Sequence, residues 1–208
     1  MRDVREIGKE MFRVRLDPLS LPWSPGDCIA VYGPDGSTTR PYSLSGGVDA
    51  GEVELLVRRI SGGTVSDHVT RLRAGDRVDV SPPFGWFHPA KPVGAPKIFF
   101  ATGTGIAPFL SAVRSGAEMP GRVYWGVRDA EDVCCGEEFD DLRVCVSRGE
   151  PGPWTRGRLT ERLDEVPIGP DTHYYACGLD RMIEDVAAFL SAHGVTEDRI
   201  HRECFFTA

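Results

Sequence analysis

Apolar and charged residues alternate strictly in Phe12-Arg13-Val14-Arg15-Leu16, more loosely in Val53-Glu54-Leu55-Leu56-Val57, and again in Arg77-Val78-Asp79-Val80. A period of two puts successive side chains on opposite faces, so each run predicts a half-buried strand. Turn-forming clusters lie between them: Ser24-Pro25-Gly26-Asp27, Gly33-Pro34-Asp35-Gly36, Gly46-Gly47, Ser61-Gly62-Gly63 and Ala74-Gly75-Asp76. Short strands with such punctuation predict an antiparallel barrel or sandwich over residues 1–92, with one helix from about Val65 to Leu72.

After the Pro-rich stretch 89–96 the pattern changes. Lys97-Ile98-Phe99-Phe100-Ala101 is continuously apolar, as a strand buried on both faces requires, and a Gly turn and a helix from about Ala107 to Ser115 follow it. Further strands are predicted at Arg122–Gly126, Arg143–Val146 and His173–Ala176, with helices at Leu159–Leu163 and Arg181–His193. Strand and helix in alternation predict a doubly wound parallel sheet over residues 93–208. The fold class is therefore an antiparallel β domain followed by an α/β domain, hinged near 89–96.

Of 208 residues, 41% are hydrophobic and 26% charged, which is the make-up of an ordinary globular protein. No apolar run approaches the roughly 20 residues of a membrane span. The opening MRDVREIGKEMFRV lacks the apolar core of a secretory signal, which predicts a cytoplasmic protein. Residues 1–92 sum to zero charge, so the net −7 falls wholly in residues 93–208. An acidic half argues against nucleic acid as a partner, and it leaves any phosphate bound there dependent on local donors. The cysteines at 28, 134, 135, 145, 177 and 204 form no CxxC, zinc or iron–sulfur spacing, and the five histidines form no metal pair. No metal and no disulfide framework is expected.

Four short segments carry candidate chemistry. Thr102-Gly103-Thr104-Gly105-Ile106-Ala107-Pro108 stands between a buried strand and a helix, where glycines let backbone N–H groups approach a pyrophosphate; Pro108 is welcome in a first helical turn. A plain strand–helix turn is the alternative. Arg40-Pro41-Tyr42-Ser43 joins a cation, an aromatic ring and a hydroxyl on one extended stretch, which suits a flat heterocycle carrying phosphate; a strand edge with a core tyrosine is the alternative. Gly63-Thr64-Val65-Ser66 opens the helix of the β half and offers N–H groups to an anion, or is ordinary capping by Thr64 or Ser66. Cys177-Gly178 ends a strand of the α/β half, where topology places ligands; a small buried thiol is the alternative.

In this order the four segments resemble the ferredoxin–NADP reductase family over essentially all 208 residues. Pro25-Gly26-Asp27, Val57-Arg58, Pro83-Phe84-Gly85 and Trp125-Gly126-Val127-Arg128 add to the resemblance. It implies an FAD-binding β-barrel at 1–92 and an NAD(P)-binding domain at 93–208. By the same resemblance FAD, rather than FMN, is held by Arg40, Pro41, Tyr42, Ser43, Val57, Arg58, Gly63, Thr64, Val65 and Ser66. The nicotinamide dinucleotide is held by Thr102, Gly103, Thr104, Gly105, Pro108 and Arg128, with Cys177 and Gly178 beside the nicotinamide. Ser43, Cys177 and Glu203 are the implied catalytic residues. The tail Glu203–Ala208 resembles members with a carboxylate and an aromatic, here Phe205, beside the flavin. Leu179-Asp180 departs from the family's prolines after CG.

The implied activity is hydride transfer from NAD(P)H to FAD and onward delivery to a separate acceptor such as ferredoxin, flavodoxin or an oxygenase component, since no iron–sulfur domain is fused. A free-flavin reductase and a non-catalytic electron-relay or redox-sensing subunit are the alternatives, and a monomer is expected. Ser147, Arg148 and Arg158 at the third strand end point to a 2′-phosphate and so to NADPH over NADH, although Glu150 is near.

Overall fold

The computed structural model describes residues 1–117 and 119–205. Its contacts divide the chain into two units, Met1–Ala90 with Ala107–Ala117, and Lys91–Ile106 with Glu118–Ala208.

In the first unit, strands β1 (Asp3–Gly8), β2 (Met11–Leu16) and β5 (Val53–Arg58) form an antiparallel sheet, and β3 (Cys28–Tyr32) pairs antiparallel with β4 (Thr39–Ser43). The bridge Leu44–Leu55 joins the two sheets, and the bridges Val31–Val80 and Cys28–Phe84 set residues 80–84 along β3, in the antiparallel arrangement expected. Phe12, Val14 and Leu16 of β2 pack inward with Ile29, Val31, Leu44, Val53, Leu55 and Val57. The looser alternation of β5 has a cause: Glu54 and Leu56, on its other face, are buried as well. Helix α1 (Thr64–Val69) is shorter than the pattern predicts, and Val65 and Val69 are its core anchors.

Arg77–Val80 is not a strand. Only Val80 bridges, flanked by bonds from Tyr32 N to Asp79 O (3.0 Å) and Ser81 N to Ala30 O (2.9 Å). Pro82 and Pro83 follow directly and have no N–H to extend the ladder.

The second unit is a six-stranded parallel sheet in the order β11-β10-β6-β7-β8-β9, built from β6 (Lys97–Thr102), β7 (Arg122–Val127), β8 (Leu142–Val146), β9 (Thr155–Arg156), β10 (His173–Gly178) and β11 (Ile200–Cys204). Helix α2 (Ala107–Arg114), which follows β6 in sequence, clusters with the first unit. Helix α3 (Asp180–Ala192) covers one face through Met182, Ile183, Val186 and Leu190, against Ile98, Phe100, Tyr174 and Ala176. The helix expected at Leu159–Leu163 is a 3-10 segment, Leu159–Glu165, interrupted where Arg162 leaves helical geometry (φ −124°). The chain runs from β6 to β7 on one side and returns to β10 on the other, so the order reverses between β6 and β10. Ligands of open α/β sheets bind beyond the strand ends at such a point.

At the start of β10, His173 Nδ1 lies 2.9 Å from His201 Nε2, and the His201 ring stacks on Tyr175 at 4.2 Å. One of the two facing nitrogens must donate and the other accept, so a proton on both breaks the bond. Burial is the first cause lowering the pKa of His173, with Arg199 next; burial and then His173 lower that of His201. Both folded values lie below the ordinary one, so the unfolded chain binds more protons as pH falls through about 6.5 and below. Stability present above that pH is lost on acidification. Thermal melts at about pH 7.5 and 5.5 are expected to show a lower Tm in acid and a smaller drop in His201→Gln. The same drop in both proteins would contradict this.

Candidate functional site

The end of β6 and the end of β10 are locked together by backbone crowding. A Cβ on Gly105 would fall 2.3 Å from the Cys177 carbonyl oxygen, and one on Gly178 (φ +134°) would fall 2.1 Å from Thr102 Oγ1. Neither position tolerates a side chain. Thr102 Oγ1 accepts the Leu179 N–H at 2.8 Å. A proline at 179, as the family pattern has it, would have no N–H to give, so the departure at Leu179 supports a bond of its own.

Gly103, by contrast, has nothing within 4 Å of its missing Cβ; its φ of +52° is what calls for glycine. The buried indole of Trp125 on β7 donates to the Gly103 carbonyl at 2.9 Å and fixes that conformation. Gly103–Ile106 is a 3-10 turn leading into α2, where Pro108 is the second residue, and Thr104 is partly exposed. Sequence reading recorded Trp125 only as a strand end. The signal was a tryptophan ending a buried strand, since a buried indole N–H needs an acceptor.

Cys177 lies at the strand end that topology predicted, yet its side chain is fully buried. Its thiol faces Glu203 Oε2 at 3.6 Å, from the position opposite it on β11. Burial first, and Glu203 second, push the thiol pKa well above its ordinary value, so Cys177 is a neutral donor rather than a thiolate. Phe205 N–H donates to the Gly178 carbonyl at 2.8 Å and places the aromatic of the tail at the same strand end. Phe206, Thr207 and Ala208 lie outside the described residues.

Further along the same edge, Val127 pairs with Val146, and Val146 with Arg156. The next residues are bonded in turn, Arg148 N to Arg128 O at 2.8 Å and Gly157 N to Val146 O at 3.0 Å. Arg128, Arg148 and Arg158 thus follow adjacent strand ends. All three are exposed, and no ion pair among the described residues engages them, whereas Arg156 lies 3.7 Å from Glu150. The Ser147 hydroxyl does not stand open, because it donates to Val127 O at 3.1 Å.

In the first unit, Arg40, Pro41, Tyr42 and Ser43 lie on β4 opposite Val31, Ala30, Ile29 and Cys28. Arg40 is exposed, its guanidinium bonded among the described residues only to the neighbouring Thr39 carbonyl (2.9 Å). Tyr42 is half-buried, and burial pushes its hydroxyl pKa up to about 12, so it is neutral at any ordinary pH. Ser43 and Val57 are buried; Arg58 closes β5 and reaches the Lys9 carbonyl at 3.2 Å. Gly63 caps α1 without a side-chain bond, so neither Thr64 nor Ser66 is the cap. The Ser66 oxygen instead accepts the Ile60 N–H at 3.1 Å and holds the turn before the helix, while Gly62 (φ +75°) has open space around it. An exposed guanidinium, a neutral half-buried phenol and a glycine turn left open by its own side chains suit a flavin nucleotide. Gly103, with the three arginines beyond it, suits a dinucleotide phosphate chain.

Residues 6–88 match the family model of the oxidoreductase FAD-binding domain, and residues 99–188 that of the oxidoreductase NAD-binding domain. The reductase subunit of an aromatic O-demethylase from Amycolatopsis sp. (strain ATCC 39116 / 75iv2) is 33% identical over 229 aligned positions, covering 99% of this chain and 68% of that one. Ferredoxin–NADP reductase B of Sorangium cellulosum (strain So ce56) is 31% identical over 82% of this chain and 79% of its own. The crystal structure of an Amycolatopsis cytochrome P450 reductase superposes with a TM-score of 0.83 at 29% identity, over 98% of this chain and 68% of that one. The chain thus spans about two thirds of the length of the two Amycolatopsis proteins.

Proposed function

The chain belongs to the ferredoxin–NADP reductase family, and we propose that it accepts a hydride from NADPH on bound FAD and delivers electrons to a separate acceptor protein. The observation that carries this reading is the edge at Gly103, Cys177 and Gly178, where glycine is dictated by crowding or by φ at the point where strand order reverses. The Amycolatopsis relative is named as the reductase subunit of an aromatic O-demethylase, and the similar solved structure as a cytochrome P450 reductase. That likeness favours an oxygenase component, or a ferredoxin or flavodoxin, as acceptor.

Bound FAD supplies the redox chemistry, taking two electrons from the nicotinamide and passing them on. The chain's own residues bind, orient and move protons. Arg40 and Arg58 neutralise the FAD pyrophosphate, and N–H groups of Gly63–Ser66 add uncharged donors. Tyr42 offers its ring face to the flavin, and the Ser43 hydroxyl serves as the donor near its reacting nitrogen. Gly103–Gly105 receive the dinucleotide pyrophosphate, and Arg128, Arg148 and Arg158 its adenosine end. Glu203, whose carboxylate accepts from the Cys177 thiol, serves in proton delivery, and Phe205 provides an aromatic surface beside Gly178.

Cys177→Ala removes the donor that orients Glu203. It is expected to slow flavin reduction about tenfold, the worth of one hydrogen bond to a charged group, at unchanged flavin content. An unaltered rate in rapid-mixing experiments would make Cys177 a packing residue only.

The six cysteines are free in the structure, and we propose a cytoplasmic location. No helix among the described residues is long and apolar enough to cross a membrane. We take the protein to be a monomer, which sedimentation tests. The reading as a whole is tested by gel filtration after incubation with FAD, followed by NADPH-dependent reduction of ferricyanide. Retained flavin and turnover are expected. Flavin that washes away while turnover needs added flavin would mark a free-flavin reductase, and retained flavin without turnover an electron relay.

A further inference from the structure

Buried polar side chains are costly unless bonded, and three of them converge on one place in the first unit. Glu54 on β5 is 5% exposed, and Ser45 and Ser111 are fully buried. Glu54 Oε1 accepts from Arg114 Nη1 at 2.5 Å and from the Ser45 hydroxyl at 3.2 Å. Glu54 Oε2 faces Arg15 Nε at 3.3 Å and Arg13 Nε at 3.4 Å. Arg114 also donates to the Ser45 carbonyl at 3.0 Å.

The neighbouring residues of α2 bind the same corner. The Ser111 hydroxyl donates to the Gly46 carbonyl at 2.9 Å, and Val48 N–H donates to the Ser115 hydroxyl at 3.0 Å. A Cβ on Gly47 would fall 2.7 Å from the Arg114 carbonyl oxygen, so the helix backbone rests directly on that glycine. Ser111, Arg114 and Ser115 stand at i, i+3 and i+4, on one helical face. That face is polar, buried at Ser111 and half-buried at Arg114 and Ser115, and Arg114 borders an open cavity of about 440 Å³ that Glu54, Gly46 and Gly47 also line.

An α2 needed only for packing would be held by apolar contacts, which cost no desolvated charge. Buried Phe109, Leu110 and Ala112 supply such packing to α2, and the polar seat adds directional bonds that select one register. The chain enters α2 directly from Gly103–Ile106. We propose that Arg114, through its ion pair with Glu54, is a positioning residue for the dinucleotide: it pins α2 to β5 and the Ser45–Val48 corner, and so fixes the downstream end of the Gly103–Ile106 loop. This rests on the reading that the loop holds the dinucleotide pyrophosphate.

Arg114→Met keeps the apolar stem of the side chain, and Glu54 retains Arg13, Arg15 and Ser45. The FAD-loaded variant is expected to keep its flavin and to lose only a few degrees of Tm, the cost of one partner removed from Glu54, while its calorimetric Kd for NADP⁺ rises about tenfold. Amide hydrogen exchange at Gly103–Ile106 should quicken at the same time. Arg114→Lys, which keeps the charge but not both bonds, is expected to fall between the two, and it serves as the test if Arg114→Met does not fold. Failure of the wild-type protein to bind NADP⁺ would sink the underlying reading. Wild-type affinity in both variants would sink the role of Arg114 alone. Loss of flavin together with Tm would also overturn it, by making the pair a general structural support.

Discussion

Arg40→Ala protein is expected to come off a gel-filtration column nearly colourless. Arg40 is exposed on β4, and among the described residues its guanidinium engages only its own neighbour's carbonyl. On the proposed role of Arg40, removing it takes a charge-assisted donor from the FAD pyrophosphate, worth about 1.5–3 kcal/mol, or roughly 10- to 100-fold in affinity. The fold should survive, because the Arg40 side chain is exposed and the backbone pairing of β4 with β3, Arg40 opposite Val31 and Tyr42 opposite Ile29, does not depend on it. The check is the FAD-to-protein ratio after gel filtration, beside a thermal melt of protein prepared without flavin. Full flavin retention by Arg40→Ala would remove Arg40 from the site.

The second large effect is on cofactor choice. Arg148 follows β8, beside Arg128 and close to Arg158 on adjoining strand ends, and none of the three is paired with a carboxylate among the described residues. Unpaired guanidinium groups in a half of the chain that is otherwise acidic await an anion, and a 2′-phosphate supplies one. Wild-type protein is expected to prefer NADPH. Arg148→Ala should lower the NADPH-to-NADH ratio of kcat/KM by about 10- to 100-fold, chiefly through KM for NADPH. Because the Ser147 hydroxyl is bonded to Val127 O, Ser147→Ala is expected to matter less than Arg148→Ala. An NADH preference in the wild type, or an unchanged ratio in Arg148→Ala, would show that Arg148 does not read the phosphate.

The parts of the fold legible in the sequence were those whose burial is one-sided or complete. β2 alternates cleanly because one face is core and the other carries Arg13 and Arg15. β6 is continuously apolar because both faces are covered. β1 and β11 escaped notice because each lies at the edge of its sheet and is only half-buried, so Asp3–Gly8 and Ile200–Cys204 show little pattern. The glycine turns were legible as candidate phosphate loops. The reason glycine is needed was not, since it depends on the Cys177 carbonyl and Thr102 hydroxyl arriving from distant segments. The seat of α2 was the least visible feature. Arg13, Arg15 and Glu54 read as the solvent face of two strands, and Arg114 reads as a helix end. Only the tertiary structure shows that these charges meet around a buried Glu54.

The central claim is that this chain binds FAD and that NADPH reduces it. Its most direct test is anaerobic rapid mixing of FAD-loaded protein with one equivalent of NADPH, following the visible flavin absorbance. The expected result is complete bleaching, with a rate that saturates in NADPH and falls in Cys177→Ala. A flavin band that persists with both NADPH and NADH in excess would contradict the claim.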